Sequence, residues 1–126
     1  MNAEAAKSYL LSKPEAIEDY PFGPDVLVFK VREKMFATLA YSSEQPRINL
    51  KCDPEQALIL RDVFAAVLPG YHINKQHWNT VILDGSIPDA EIRAMIDHSY
   101  ALVVKGMKKA VRMSLELMHG SHELYK

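Results

Sequence analysis

Arg47-Ile48-Asn49-Leu50-Lys51-Cys52-Asp53-Pro54-Glu55 changes its period halfway along. Up to Cys52 it alternates strictly, with Arg47, Asn49 and Lys51 on one face and Ile48, Leu50 and Cys52 on the other. That is a strand buried on one side only. Asp53, Pro54 and Glu55 then supply an N-cap, a proline at the first helical position and an acid in the first turn, so a helix begins at Pro54. A one-sided strand running straight into a helix places the chain in the α+β class, an antiparallel sheet with helices packed on one face.

Upstream, residues 26–31 and 35–41 are β-branched and aromatic runs separated at Arg32 to Lys34, which reads as a hairpin with a tight turn. A second turn falls at residues 42–46. Residues 2–12 are good helix formers stopped by Pro14, and residues 15–25 read as an ordered loop in which Tyr20 and Phe22 anchor Pro21, Gly23 and Pro24. Downstream, the helix from Pro54 carries an apolar stripe of Leu60, Val63, Phe64, Val67 and Leu68 and ends at Leu68-Pro69-Gly70. Residues 71–84 are extended, with the surest strand at 78–83 and a turn at Asp84-Gly85. Pro88 and Asp89 open a long helix whose positions Ile92, Met95, Ile96, Ser99 or Tyr100, Val103 and Met107 follow helical spacing. Gly106 breaks or kinks it before residues 108–118. The expected order is α-β-β-β-α-β-β-α, with residues 1–118 a single domain and residues 119–126 a frayed tail.

Composition sets the outer limits. The 126 residues are 48% apolar, carry 15 Lys plus Arg against 16 Asp plus Glu, and include one cysteine. A chain of this length buries roughly two thirds of its unfolded surface and needs no disulfide or structural metal to hold a core. No signal-peptide pattern precedes the first helix, and no apolar run approaches the roughly 18 residues of a spanning helix. The neutral total argues against coating nucleic acid by bulk charge. Local charge is uneven, however. Residues 26–52 hold Lys30, Arg32, Lys34, Arg47 and Lys51 against Glu33 and Glu44, a net +3, and residues 101–112 hold four cations and no acid.

A search for chemistry returns little. His72 and His77 would sit on opposite faces of a regular strand, and His119 and His122 fall in the tail. There is no Cys-x-x-Cys, His-Glu-x-x-His, glycine-rich phosphate loop or serine elbow, so neither enzyme, metal nor cofactor is nominated. Cys52 ends a strand on its apolar side as a packed thiol, with a nucleophile as the alternative. What stands out is the polar strand face of Arg47, Asn49 and Lys51, beside Tyr71-His72-Ile73-Asn74-Lys75-Gln76-His77-Trp78-Asn79-Thr80. Arginine and lysine engage phosphates, amides read base edges, and a tryptophan stacks on bases; Trp78 and Tyr71 can equally be core anchors.

The runs Tyr20-Pro21-Phe22-Gly23, Lys34-Met35-Phe36-Ala37, Asn49-Leu50-Lys51-Cys52-Asp53-Pro54, Pro69-Gly70-Tyr71-His72, Asn74-Lys75-Gln76-His77-Trp78-Asn79 and Ser99-Tyr100-Ala101-Leu102-Val103 together closely resemble the MmcQ/YjbR family. Each run alone is weak, whereas six in the family's order across most of the chain are specific. The resemblance implies a bacterial, cytoplasmic protein with a CyaY-like fold, also described as a double-wing DNA-binding motif. DNA bound with low affinity is the partner it implies. On charge and placement, Lys30, Arg32, Lys34, Arg47 and Lys51 would hold phosphates, and His72, Asn74, Lys75, His77 and Trp78 would make groove contacts. Two rivals stand beside this reading. One is a protein-interaction module built on an aromatic patch of Tyr20, Phe22, Tyr71 and Trp78. The other is iron or small-ligand binding by analogy with frataxin-like proteins, which carry an acidic first helix where this chain offers only Glu4. No coiled-coil repeat supplies a dimer, so a monomer is expected.

Overall fold

The computed structural model describes residues 1–41, 44–70 and 73–126. Along the chain these form α1 (Ala3–Leu11), β1 (Ile17–Asp19), β2 (Val26–Val31), β3 (Lys34–Ala40), β4 (Arg47–Lys51), α2 (Pro54–Val63), β5 (Val67–Pro69), β6 (Trp78–Ile82), α3 (Asp89–Lys105), α4 (Lys109–His119) and α5 (Ser121–Leu124). The strands make one antiparallel sheet in the order β1-β2-β3-β4-β6-β5. The domain is therefore the α+β unit that the switch at Cys52 implies.

Local chemistry explains each expected element. Asp53 caps α2 by accepting from the Glu55 and Gln56 amides, with Pro54 at the first position. Arg32 and Glu33 both take positive φ, 46° and 68°, which is the two-residue turn whose twist matches a hairpin, and Val31 pairs with Lys34 across it. Between Phe29 and Lys30 the register shifts, because Phe36 is an extra residue in β3. The Phe36 carbonyl at this bulge accepts from Ser99 Oγ at 2.6 Å, and Ser99 Oγ in turn accepts from the Lys51 amide at 2.9 Å. One buried hydroxyl on α3 thus pins two strands.

The core is a single cluster under the sheet. Leu27, Phe29, Leu39, Ile48, Leu50 and Val81 meet Ile92, Met95, Ile96, Tyr100 and Val104 of α3 together with Ala6 and Leu10 of α1. Tyr100 stacks edge-on against Phe36 at 5.2 Å and donates to the Pro14 carbonyl at 2.7 Å. Lys13, also buried, pairs with Asp97 at 2.7 Å beside Tyr9, which donates to the same carboxylate. These contacts lock the exit of α1 onto α3.

Three expectations change, and a fourth holds only in part. The loop expected at residues 15–25 contains β1, a short edge strand whose Ile17, Glu18 and Asp19 pair with Lys30, Phe29 and Val28. The helix from Pro54 stops at Val63 rather than Leu68: Phe64 is already extended, and Val67–Pro69 is β5, paired with β6. The expected stripe holds in part: Leu60 and Phe64 pack half-buried against the core and Val67 is buried in it, whereas Val63 and Leu68 are exposed, and within α2 itself only Ala57 is fully buried. The long helix ends at Lys105 with Gly106 as its cap, the break expected there, and the following segment is a separate α4. Finally, residues 119–126 are not a frayed tail. Gly120, at φ 82°, turns the chain into α5, and Leu124 is fully buried in the core cluster. Tyr125 donates to Glu116 at 3.0 Å and lies under the Lys105 ammonium.

Candidate nucleic-acid interface

The strand alternation of β4 sends Ile48 and Leu50 into the core and Arg47, Asn49 and Lys51 to the opposite face, where each is half-buried. Register extends that face across the sheet: Val28, Thr38, Asn49, Thr80 and Leu68 form one row, Lys51 stands opposite Trp78, and Arg47 opposite Ala40 and Ile82. Along the central row Thr80 Oγ1 donates to Asn49 Oδ1 at 2.5 Å, and Asn49 Nδ2 donates to Thr38 Oγ1 at 2.9 Å. The threonines are the signal that residue-by-residue reading missed. Thr38 sits among apolar neighbours and Thr80 beside Asn79, and only the register shows that both threonines face Asn49.

Among the described residues Arg47 and Lys51 make no ion pair, and the Arg47 Nε is buried without a hydrogen-bond partner. Lys34 is exposed at the start of β3 and is likewise unpaired among the described residues. Other expected contacts are already committed. Lys30 pairs with Asp19 at 3.0 Å and holds that carboxyl below the usual range. Arg32 is bound to Glu15 through Nε at 2.6 Å and Nη2 at 3.1 Å, and it reaches Ser114 and the Met118 sulfur on α4. The hairpin tip is thus tied to the C-terminal helices rather than free as a basic wing.

The loop before β6 lies at the same end of the sheet as Lys51, because the Cys52 amide donates to the His77 carbonyl at 2.8 Å. Asn74 uses its side chain inside that loop, accepting from the Gln76 and His77 amides. Lys75 and His77 are exposed. Lys75 also accepts, through its carbonyl, from Arg61 Nη2. Trp78 is half-buried, with its carbonyl accepting from the Gly70 amide at 2.8 Å. Tyr71 and His72 lie outside the described residues, as do Ser42 and Ser43 of the second expected turn. The structure therefore brings Arg47, Lys51 and Trp78 together around Asn49, keeps Lys34, Lys75 and His77 at one end, and removes Lys30, Arg32 and Asn74.

Tyr20 and Phe22 are 48% and 73% exposed beside the β1 edge. Four strand steps separate β1 from β6, about 19 Å at ordinary strand spacing. These two aromatics and Trp78 are thus no single patch. Cys52 is buried, and burial pushes its thiol up to about 11, so it is a packed neutral group and not a thiolate. Among the described residues no three His, Cys, Asp or Glu side chains come together as a metal site, and no helix is long and apolar enough to cross a membrane.

Comparison with known proteins places this geometry. A family model described as YjbR matches residues 11–102. The chain is 39% identical over 106 residues to the uncharacterised protein YbdF of Escherichia coli O157:H7, covering 84% of this chain and 87% of that protein. It is 36% identical over 107 residues to the uncharacterised protein YjbR of Escherichia coli K12, covering 85% and 91%. The crystal structure of Deinococcus radiodurans protein DR2400, a DUF419 domain, superposes with a TM-score of 0.84 at 37% identity over 96% of this chain and 95% of that one. A Pseudomonas syringae protein superposes with a TM-score of 0.73 at 31% identity, covering 82% of this chain and 99% of that one.

Proposed function

The chain belongs to the YjbR family, and we propose that it is a non-enzymatic cytoplasmic protein that binds DNA weakly through the polar face of its sheet. The observation that carries this reading is the pair Arg47 and Lys51, which flank the hydrogen-bonded Asn49 and have no acidic partner among the described residues. Unneutralised cations on either side of a half-buried amide held in place by two buried threonines suit a phosphate backbone with bases between.

Sheet geometry favours unpaired DNA over a duplex groove. The major groove is about 12 Å wide and admits one helix or a two-stranded ribbon, whereas six strands at about 4.8 Å spacing are roughly twice that width. The β2–β3 hairpin, the ribbon expected to act as a wing, has its Arg32 occupied by Glu15. Trp78 beside Lys51 offers the aromatic surface on which a splayed base stacks.

Fluorescence anisotropy of a labelled oligothymidine, repeated with a random duplex at several salt concentrations, tests the reading. Two phosphate contacts give a log–log salt slope of about −1.4 on a single strand. Binding should vanish in the folded Arg47→Glu/Lys51→Glu variant and persist in Arg32→Glu. Absence of binding at low salt, or full retention in the double variant, removes it. A protein partner at the exposed Tyr20–Phe22 corner is the second reading, and it is supported by Phe22 being 73% exposed.

A further inference from the structure

Two helices carry apolar residues on the side that faces away from the core. In α4, Val111 and Leu115 turn inward, yet Met113 and Leu117, one turn apart, are each more than half exposed, with Ala110 beside them. In α2, Ala57 turns inward, while Leu58, Ile59 and Val63 are each more than half exposed. A surface helix ordinarily turns a polar face to water, and a lone exposed apolar residue is unremarkable. Neighbouring ones at helical spacing form a contact surface.

The charges beside the two faces are opposite in sign. Lys109 stands one turn before Met113, next to Lys108, and neither makes an ion pair among the described residues. Glu55 stands one turn before Ile59 and Asp62 one turn after Leu58, and these exposed acids are likewise unpaired among the described residues. Neighbouring groups of the other sign are engaged elsewhere: Arg61 of α2 donates to Asn79, and Glu116 of α4 accepts from Tyr125. One chain cannot join the two faces. The first helix packs against β5 at one edge of the sheet, whereas α4 meets Arg32 at the β2–β3 hairpin tip on the other half of the strand order.

We propose that the partner of each face is the other face on a second copy of this chain, with Met113 and Leu117 of one copy against Leu58, Ile59 and Val63 of the next, and Lys108 and Lys109 beside Glu55 and Asp62. This departs from the monomer expected from the lack of a heptad repeat. Because the contact joins two different surfaces, each added copy presents a fresh α2 or α4 face, and copies add head to tail. A pair of three-turn helix faces is smaller than the roughly 1,200–2,000 Å² of a stable interface, so the association is weak and concentration-dependent.

Sedimentation velocity of the full chain at low salt, from about 10 μM to about 1 mM, reads that association. The sedimentation coefficient should rise with concentration and fall back as salt is added. Glu55→Lys/Asp62→Lys and Lys108→Glu/Lys109→Glu should each weaken association at least about ten-fold. An equimolar mixture of the two should restore it, since every contact between unlike copies again pairs opposite charges. Leu117→Glu alters a side chain 88% exposed, so the variant should stay folded and monomeric. Arg47→Glu/Lys51→Glu should associate like wild type, which separates this contact from the polar sheet face. A coefficient that stays flat to about 1 mM, association retained in folded Leu117→Glu, or a mixture no better than its components overturns the proposal. Full association of Glu55→Lys/Asp62→Lys alone also overturns it, because α4 would then be pairing with α4.

Discussion

Arg32 and Glu15 are joined by a two-pronged ion pair, with Nε to Oε1 at 2.6 Å and Nη2 to Oε2 at 3.1 Å, and both residues hold left-handed backbone. Their φ angles are 46° and 59°, a conformation that L-residues adopt only where the surroundings impose it. His119 at the end of α4 completes the contact, with Nε2 2.7 Å from the other Glu15 oxygen. One carboxylate thus ties together the exit of α1, the tip of the β2–β3 hairpin and the C-terminal helices.

The Arg32 guanidinium first, then His119, holds the Glu15 carboxyl down at about 2, against an ordinary 4.5. A depressed carboxylate contributes stability that is fully present above about pH 4.5 and is lost as pH falls toward 2. Glu15→Gln removes that contribution, so the stability difference between wild type and variant should shrink between pH 6 and pH 2.5. The pair is partly solvated, and the difference at pH 6 should be about 1 kcal/mol or less. Urea midpoints across this range check it; a difference independent of pH would show that the ion pair carries no net stability.

Ser99 joins α3 to both β3 and β4 through one hydroxyl that donates to Phe36 and accepts from Lys51. Ser99→Ala strands a buried carbonyl and an amide, which should cost about 1–3 kcal/mol for each group left unpaired. Chemical denaturation should report a loss well above the ±0.5 kcal/mol typical of neutral surface changes.

Gly70 runs so close to Trp78 that an added Cβ would stand 2.9 Å from both the tryptophan Cβ and its carbonyl oxygen. Both are rigid neighbours. Gly70→Ala should therefore push β5 from β6 and cost about 1–3 kcal/mol. Hydrogen exchange at the Gly70 amide, which donates to the Trp78 carbonyl, should accelerate in the variant.

Leu124 should behave as a core residue. Leu124→Ala is expected to lose about 2–5 kcal/mol, while Leu117→Ala, at a side chain 88% exposed on α4, should change little. Equal, negligible effects of both would show that the last helix does not dock.

Trp78 is the chain's single tryptophan among six tyrosines, so fluorescence excited beyond the tyrosine band reports on the sheet face. Oligothymidine should quench it, and Trp78→Leu should weaken binding by about 1–3 kcal/mol, the usual value of one stacked base. Anisotropy that shows binding without quenching would make Trp78 a packing group instead.

Local patterns in the chain determine most of the architecture. The alternation from Arg47 to Lys51, the Asp53-Pro54 cap, the apolar hairpin arms and the helical spacing from Ile92 to Val103 each have one physical solution, and all appear as read. They also assign Arg47, Asn49 and Lys51 to the polar face, since period two leaves no other choice. Contacts between distant segments decided the rest. β1 is three residues long with two acids and has no pattern of its own; only pairing with β2 makes it a strand. β5 continues the helical spacing of Leu60, Val63 and Phe64, and it is the β6 partner that draws it out, with Pro69 tolerated on an edge. Leu124 is one apolar residue in a polar tail, and its burial depends on space that α3 and α4 create. The same holds for the candidate site. Which cations stay unpaired was set by Glu15 and Asp19, acids far away in sequence from Arg32 and Lys30, because charge neutralisation depends on distance in space and not along the chain.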